Sequence, residues 1–175
     1  MPVETLAGPV HLSDYDPAWP VQFEAESKRI REALRQTALA IDHTGSTSVP
    51  GLAAKPIIDM LLTVKDSADE STYEPPLAAL GYLLIVREPA WFQHRMFKGQ
   101  NPVVNLHVFS AGCDEIGRVL LFRDWLRENA ADRELYERTK RALALKTWHH
   151  MQDYADAKTA VIKAILRRAE ANSAR

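Results

Sequence analysis

Asp59 interrupts the apolar run from Ile57 to Val64, and twelve residues separate it from Ser46 of a Gly45-Ser46 pair. Each residue type suits a distinct job. Glycine can adopt a positive φ and let backbone approach a ligand, and serine adds a hydroxyl to its N–H. An ionised carboxylate leaving an apolar strand must meet a cation, a metal or hydrogen-bond donors. The segment could therefore hold phosphate at the loop and hold a metal ion or take a proton at Asp59. Alone, a Gly-Ser pair is an ordinary turn, and a strand Asp is readily satisfied by an Arg or a backbone N–H. The spacing between the two is what points to a site.

Strand periodicity puts Ile57, Asp59, Leu61 and Thr63 on one face and Ile58, Met60, Leu62 and Val64 on the other. In the later run Val103 to Phe109, His107 shares a face with Asn105 and Phe109. A histidine there can pair with Asp59, act as a general base or ligate a transition metal; a hydrogen-bonded core histidine is the plainer alternative. His94, flanked by Gln93 and Arg95, is a further metal candidate, so Asp59, His94 and His107 form a possible mixed oxygen and nitrogen set. Arg123 with Arg127, Tyr136 with Lys140 and Tyr154 with Lys158 are spaced i,i+4 on single helix faces. Turned toward the sheet, such faces offer cations and hydroxyls to a phosphate or carboxylate; turned outward, they make ion pairs such as Asp124 with Arg127 or Glu137 with Arg141. Lys55, just before Asp59, is a further phosphate contact. Trp19, Trp91, Trp125 and Trp148 read as core anchors, although Trp91-Phe92 could wall a pocket for a base.

The elements that must position these residues follow from periodicity and punctuation. Asp16-Pro17 starts a helix running to about Gln36. Ala38 to His43 and Ile57 to Val64 read as strands flanking the Gly-Ser loop. A helix near Tyr73 to Leu80 ends at Gly81, and a third strand spans Tyr82 to Val86. Trp91 to Lys98 and Val103 to Phe109 form an antiparallel hairpin about Gly99-Gln100-Asn101-Pro102. Helices follow at Val119 to Glu128, Asp132 to Ala144 and Gln152 to Glu170. The expected architecture is α+β: one domain over 1–175, with a mixed sheet to about residue 112 and a helical tail over 113–175.

Composition narrows the function. Twenty-two Lys and Arg against 23 Asp and Glu leave a formal charge of −1, so no broad footprint for duplex nucleic acid is expected. No apolar run is long enough to span a bilayer, and the single cysteine, Cys113, suits a reducing compartment. A cytoplasmic protein with a small phosphate-bearing ligand is the expectation.

The apolar strand, Gly45-Ser46 and Asp59 resemble the Gly-Ser to Asp motif of the nucleotidyltransferase superfamily. Four segments resemble, in order, the landmarks of the GrpB family within it: Tyr15 to Trp19, His43 to Asp59, Asn105 to Phe109 and Phe122 to Arg127. The resemblance implies a nucleotidyltransferase-like mixed sheet closed by a helical subdomain, with its cleft between the Gly45-Ser46 loop and the tail. It implies nucleotide or phosphate binding through Gly45, Ser46, Lys55, Arg123, Arg127 and Lys158, with Asp59 and His107 in catalytic roles and Mg²⁺ or Mn²⁺ as cofactor. Active members of the superfamily carry a second carboxylate two residues after the first, and here that position is Leu61. One carboxylate offers a hard cation few oxygens, so two-metal nucleotidyl transfer does not follow. GrpB-like domains also occur fused to dephospho-CoA kinase, which implies the alternative of a non-catalytic module that assists a protein partner. The chain itself carries no G-x-x-x-x-G-K-[ST] loop.

Overall fold

The computed structural model describes residues 10–173, so residues 1–9 and 174–175 of the expected 1–175 unit lie outside the described residues. The Asp16 carboxylate accepts the Ala18 N–H at 2.8 Å and opens α1, Ala18–Leu34. A 3₁₀ turn at Arg35–Thr37 consumes the end of the expected helix and leads into β1, Ala40–Thr44. After the Gly-Ser loop come β2, Ile58–Val64, α2, Glu74–Ala79, β3, Leu83–Glu88, β4, His94–Gln100, and β5, Val103–Ser110. The tail is α3, Asp114–Glu128, α4, Ala130–Ala144, α5, Met151–Ala157, and α6, Thr159–Ser173.

The five strands form one mixed sheet in the order β1-β2-β5-β4-β3, so the fold is α+β. Only β2 and β5 run parallel, and their register sets Asp59 beside Asn105 and Leu61 beside His107. The β4–β5 hairpin is antiparallel, as its turn residues require. Ile58, Met60, Leu62 and Val64 face α1 and α2 and are at most 1% exposed. Burying each aliphatic side chain contributes about 1.5–3 kcal/mol, which fixes the register and forces Asp59 to the opposite face. A second apolar cluster joins Val49 and Leu52 of the Gly-Ser loop to Leu126, Tyr136 and Ile165 of the tail. The tail therefore docks on the loop.

Three expectations change. The helix expected over Gln152 to Glu170 is broken at Lys158, which ends α5 with its N–H turned to the Ala155 and Asp156 carbonyls. Periodicity misses the break because Lys158 keeps right-handed helical angles, φ −85° and ψ −11°. The strand expected from Trp91 starts instead at His94, because Phe92 and Gln93 adopt positive φ in the preceding turn. Trp91 and Phe92 are 43% and 45% exposed, so Trp91 is no core anchor.

Candidate functional site

Gly45 takes φ +67°, and a Cβ there would lie 2.9 Å from both Cβ and Cγ of Asp59, with a carboxyl oxygen closer still. Only glycine lets the Asp59 carboxyl pack onto this turn. His43 braces the loop from the end of β1. The Thr47 hydroxyl donates to the Ile57 carbonyl at 3.2 Å, so its contact with His43 Nε2 at 3.0 Å must be donated by the imidazole. Phe23 stacks on the same ring, with centroids 4.7 Å apart. Burial, with Arg127 and Arg123 nearby, holds His43 down to about 4, which keeps the ring neutral.

Behind the loop is a cavity of about 140 Å³ lined by Ser46, Lys55, Asp59, Lys140, Tyr154 and Lys158, among others. Its three amines come from three segments: the loop, α4, and the α5–α6 junction. Lys140 is 2% exposed and donates to Ser46 Oγ at 2.9 Å and to the Ala53 carbonyl. Lys140 also sits 4.9 Å from the Tyr136 ring centroid, and Lys158 sits 4.6 Å from that of Tyr154. Lys55 reaches Met151 Sδ at 3.1 Å and lies 5.7 Å from the Tyr154 ring. Burial first, then repulsion from neighbouring amines, pushes Lys140 down to about 7 and Lys158 down to about 8. The Tyr154 hydroxyl is buried and has no hydrogen-bond partner among the described residues.

Asp59 accepts from Asn105 Nδ2 at 3.2 Å. Burial raises its carboxyl above the usual range, against the opposing pull of Asn105 and the three lysines. On its other side, with Gly45, a second cavity of about 300 Å³ opens, lined also by Leu61, Trp91, His94, His107 and Phe109. His107 Nδ1 lies 2.9 Å from His94 Nε2, and His94 Nδ1 lies 2.7 Å from Glu88 Oε2.

The structure thus gathers Ser46, Lys55, Asp59 and Lys158 around one cavity, and sets Gly45, His94 and His107 in the neighbouring one, which Asp59 also lines. Arg123 and Arg127 serve the loop's backbone. Arg123 donates to the His43 carbonyl at 3.1 Å and Arg127 to the Ser48 carbonyl at 2.9 Å. Arg123 also lines a third, mostly apolar cavity with Gly45 and Ser46. The mixed metal set does not assemble: among the described residues no three His, Cys, Asp or Glu side chains are placed to hold an ion. Mg²⁺ or Mn²⁺ fits these residues poorly, since Asp59 takes an amide donor within the field of three lysines, and Leu61 fills the second carboxylate position.

Two contributors escaped the sequence reading. Lys140 was visible as half of a repeated Tyr-x-x-x-Lys spacing, but nothing in the sequence ranked it with Lys158. Glu88 carried no signal, because only the β3–β4 pairing sets it opposite His94.

Comparison with known proteins follows the same lines. The sequence model of the GrpB protein family matches residues 9–168. A UPF0157 protein of Halalkalibacterium halodurans is 57% identical over 162 residues, covering 93% of this chain and 83% of the relative. The crystal structure of the conserved protein GrpB from Enterococcus faecalis superposes with a TM-score of 0.83 at 33% identity, covering 94% of this chain and 100% of that one. A dephospho-CoA kinase of Mycolicibacterium paratuberculosis is 31% identical over 160 residues, which are 77% of this chain and 39% of the kinase. A cytoplasmic RNA terminal U-transferase shares the fold alone, with a TM-score of 0.52 at 15% identity over 73% of this chain and 40% of that one.

Proposed function

Because the chain belongs to the GrpB family and has a nucleotidyltransferase-like fold, we propose that it binds a small phosphate-bearing ligand, a nucleotide or a related metabolite, in the lysine-lined cavity. The observation that carries this reading is the convergence of Lys55, Lys140 and Lys158 on Ser46 and Asp59 in about 140 Å³. Burial and neighbouring amines push Lys140 and Lys158 well below the usual lysine range, so an anion seated beside them is favoured. A phosphate group brings negative charge to these amines and accepts a hydrogen bond from the Tyr154 hydroxyl, which has no partner among the described residues.

In this reading the chain's own cations take the place that metal ions occupy in two-metal transferases, and no transfer step is assigned to the site. Asp59 packs against Gly45, and its charge favours the protonated form of Lys158. Arg123 and Arg127 hold the loop's carbonyls so that Ser46 stays aimed at the cavity. Lys140, already bonded to Ser46, ties loop and ligand together.

A second reading rests on the match to part of a dephospho-CoA kinase: a module that assists a partner protein. Docking alone does not require cations and a carboxylate to converge in a cavity, and for that reason ligand binding is preferred. Calorimetric titration of the full chain with inorganic phosphate, nucleoside mono- and triphosphates and CoA precursors, with and without Mg²⁺ or Mn²⁺, tests it. Binding without a divalent ion, weakened at least tenfold by Lys158→Met and retained by Asp59→Asn, is the expected result. No binding across the panel, or binding that demands metal and disappears in Asp59→Asn, overturns it.

A further inference from the structure

The second cavity carries an inference that stands apart from the anion site. Its polar lining comprises His94 and His107 with Thr44, Asp59 and Glu115, and behind His94 a line of three side chains crosses consecutive strands: Glu88 on β3, His94 on β4 and His107 on β5. Glu88 Oε2 is 2.7 Å from His94 Nδ1, and His94 Nε2 is 2.9 Å from His107 Nδ1. The two rings stack with centroids 5.2 Å apart, and His94 also stacks on Phe109 at 4.9 Å. Trp91 meets His94 edge-on at 5.1 Å. His94 is only 4% exposed, and its two ring nitrogens are both engaged, by Glu88 and by His107.

This line has a direction. A carboxylate only accepts hydrogen bonds, so the shared proton at the Glu88 contact belongs to His94 Nδ1. A neutral His94 then presents a bare Nε2, which accepts from His107 through Nδ1–H. His107 in turn is left with a bare Nε2. That nitrogen makes no hydrogen bond to any described residue, and the ring lines the cavity of about 300 Å³. Burial lowers His94 and, together with His94, holds His107 down to about 4, which keeps both rings in the neutral form that the direction requires.

We propose that His107 Nε2 is a fixed hydrogen-bond acceptor, set by Glu88 through His94, and that the cavity takes a flat apolar group bearing an N–H or O–H donor. Leu61, Trp91 and Phe109 supply the apolar walls, and the position at which a catalytic superfamily member would place a carboxylate contributes instead to the apolar surface. Glu88 is a positioning residue outside the lining: acting through His94, it chooses which nitrogen of His107 carries the proton. The acceptor selects by chemistry that shape cannot provide, since a donor-less analogue of equal size leaves a desolvated nitrogen unpaired.

Indole and 1-methylindole are suitable probes because they match in shape and differ in the single N–H. With ¹⁵N-histidine-labelled full chain at pH 7.5, long-range proton–nitrogen spectra should show His107 protonated on Nδ1 and bare on Nε2. Indole at millimolar concentration should shift the Nε2 resonance and bind about tenfold more tightly than 1-methylindole. Glu88→Leu, at a side chain that is 45% exposed, should abolish the single tautomer and that tenfold preference while the chain stays folded. Lys158→Met should leave indole binding unchanged, which separates this site from the anion site. A proton on His107 Nε2 in the unaltered chain, equal affinity for the two probes, or no binding of either overturns the proposal.

Discussion

Lys158→Met should stabilise the ligand-free protein and weaken its hold on phosphate. Lys158 is held down to about 8, against 10.5 for a free lysine, chiefly by burial and secondly by Lys55. At 1.36 kcal/mol for each tenfold change in proton affinity, the charged amine costs the fold about 3 kcal/mol at neutral pH. The unfolded chain keeps its proton up to pH 10.5 and the folded chain only to about 8. The penalty is therefore complete below pH 8 and fades as the pH rises to 10.5. Methionine retains most of the stem and removes the charge, although it forfeits the contact with the Tyr154 ring, about 0.5–1 kcal/mol. The net gain is about 2 kcal/mol at pH 7, or a rise in Tm of about 4–8 °C for a chain of this size. Thermal unfolding at pH 7, 9 and 10.5, with calorimetric titration of phosphate at pH 7, checks both halves. A variant less stable than the unaltered chain at pH 7, or a gain that does not shrink with pH, refutes the reasoning.

Gly45→Ala should cost about 3 kcal/mol, from a non-glycine residue at φ +67° and a methyl group 2.9 Å from Asp59 Cβ. In an Asp59→Gly background, which removes Cβ as well as the carboxyl, the steric part should vanish, leaving about 1 kcal/mol by urea denaturation; equal costs in both backgrounds would show that the Asp59 side chain does not rest on Gly45. Acid should weaken the fold between pH 6.5 and 4. His43 and His107 stay neutral to about pH 4 when folded, whereas the unfolded chain takes up both protons near pH 6.5. Each histidine contributes a loss of at most about 3 kcal/mol, and a denaturation midpoint that holds constant from pH 6.5 to 4.5 would contradict the neutral, buried assignment.

Much of this was legible because it is written locally. The alternation of Ile58, Met60, Leu62 and Val64 gives the face of β2 without any partner strand, and the Gly45-Ser46 spacing to Asp59 marks the turn onto which the carboxyl packs. What was not legible depends on pairings between distant segments. Arg123 and Arg127 looked like free cations at helical spacing, yet they hold the His43 and Ser48 carbonyls once α3 lies on the loop. Lys140 and Lys158 share a cavity only because α5 stops at Lys158, a break that leaves the apolar period unchanged. Trp91 looked like core because aromatic residues usually are; the positive φ at Phe92 and Gln93 turns the chain so that it stands half-exposed at the mouth of a cavity.

The two apolar clusters give the lysine cavity a mechanical meaning. One cluster welds the sheet to α1 and α2, and the other fastens the Gly-Ser loop to the tail. Asp59 belongs to the sheet, Ser46 and Lys55 to the loop, and Lys140 and Lys158 to the tail, so the cavity straddles the seam between the halves. The anion proposed for that cavity would act as a rivet. Its binding free energy enters the coupling between the halves, and loosening the tail disperses the amines that would grip it. Occupancy and the docking of the tail are then one equilibrium read from two ends.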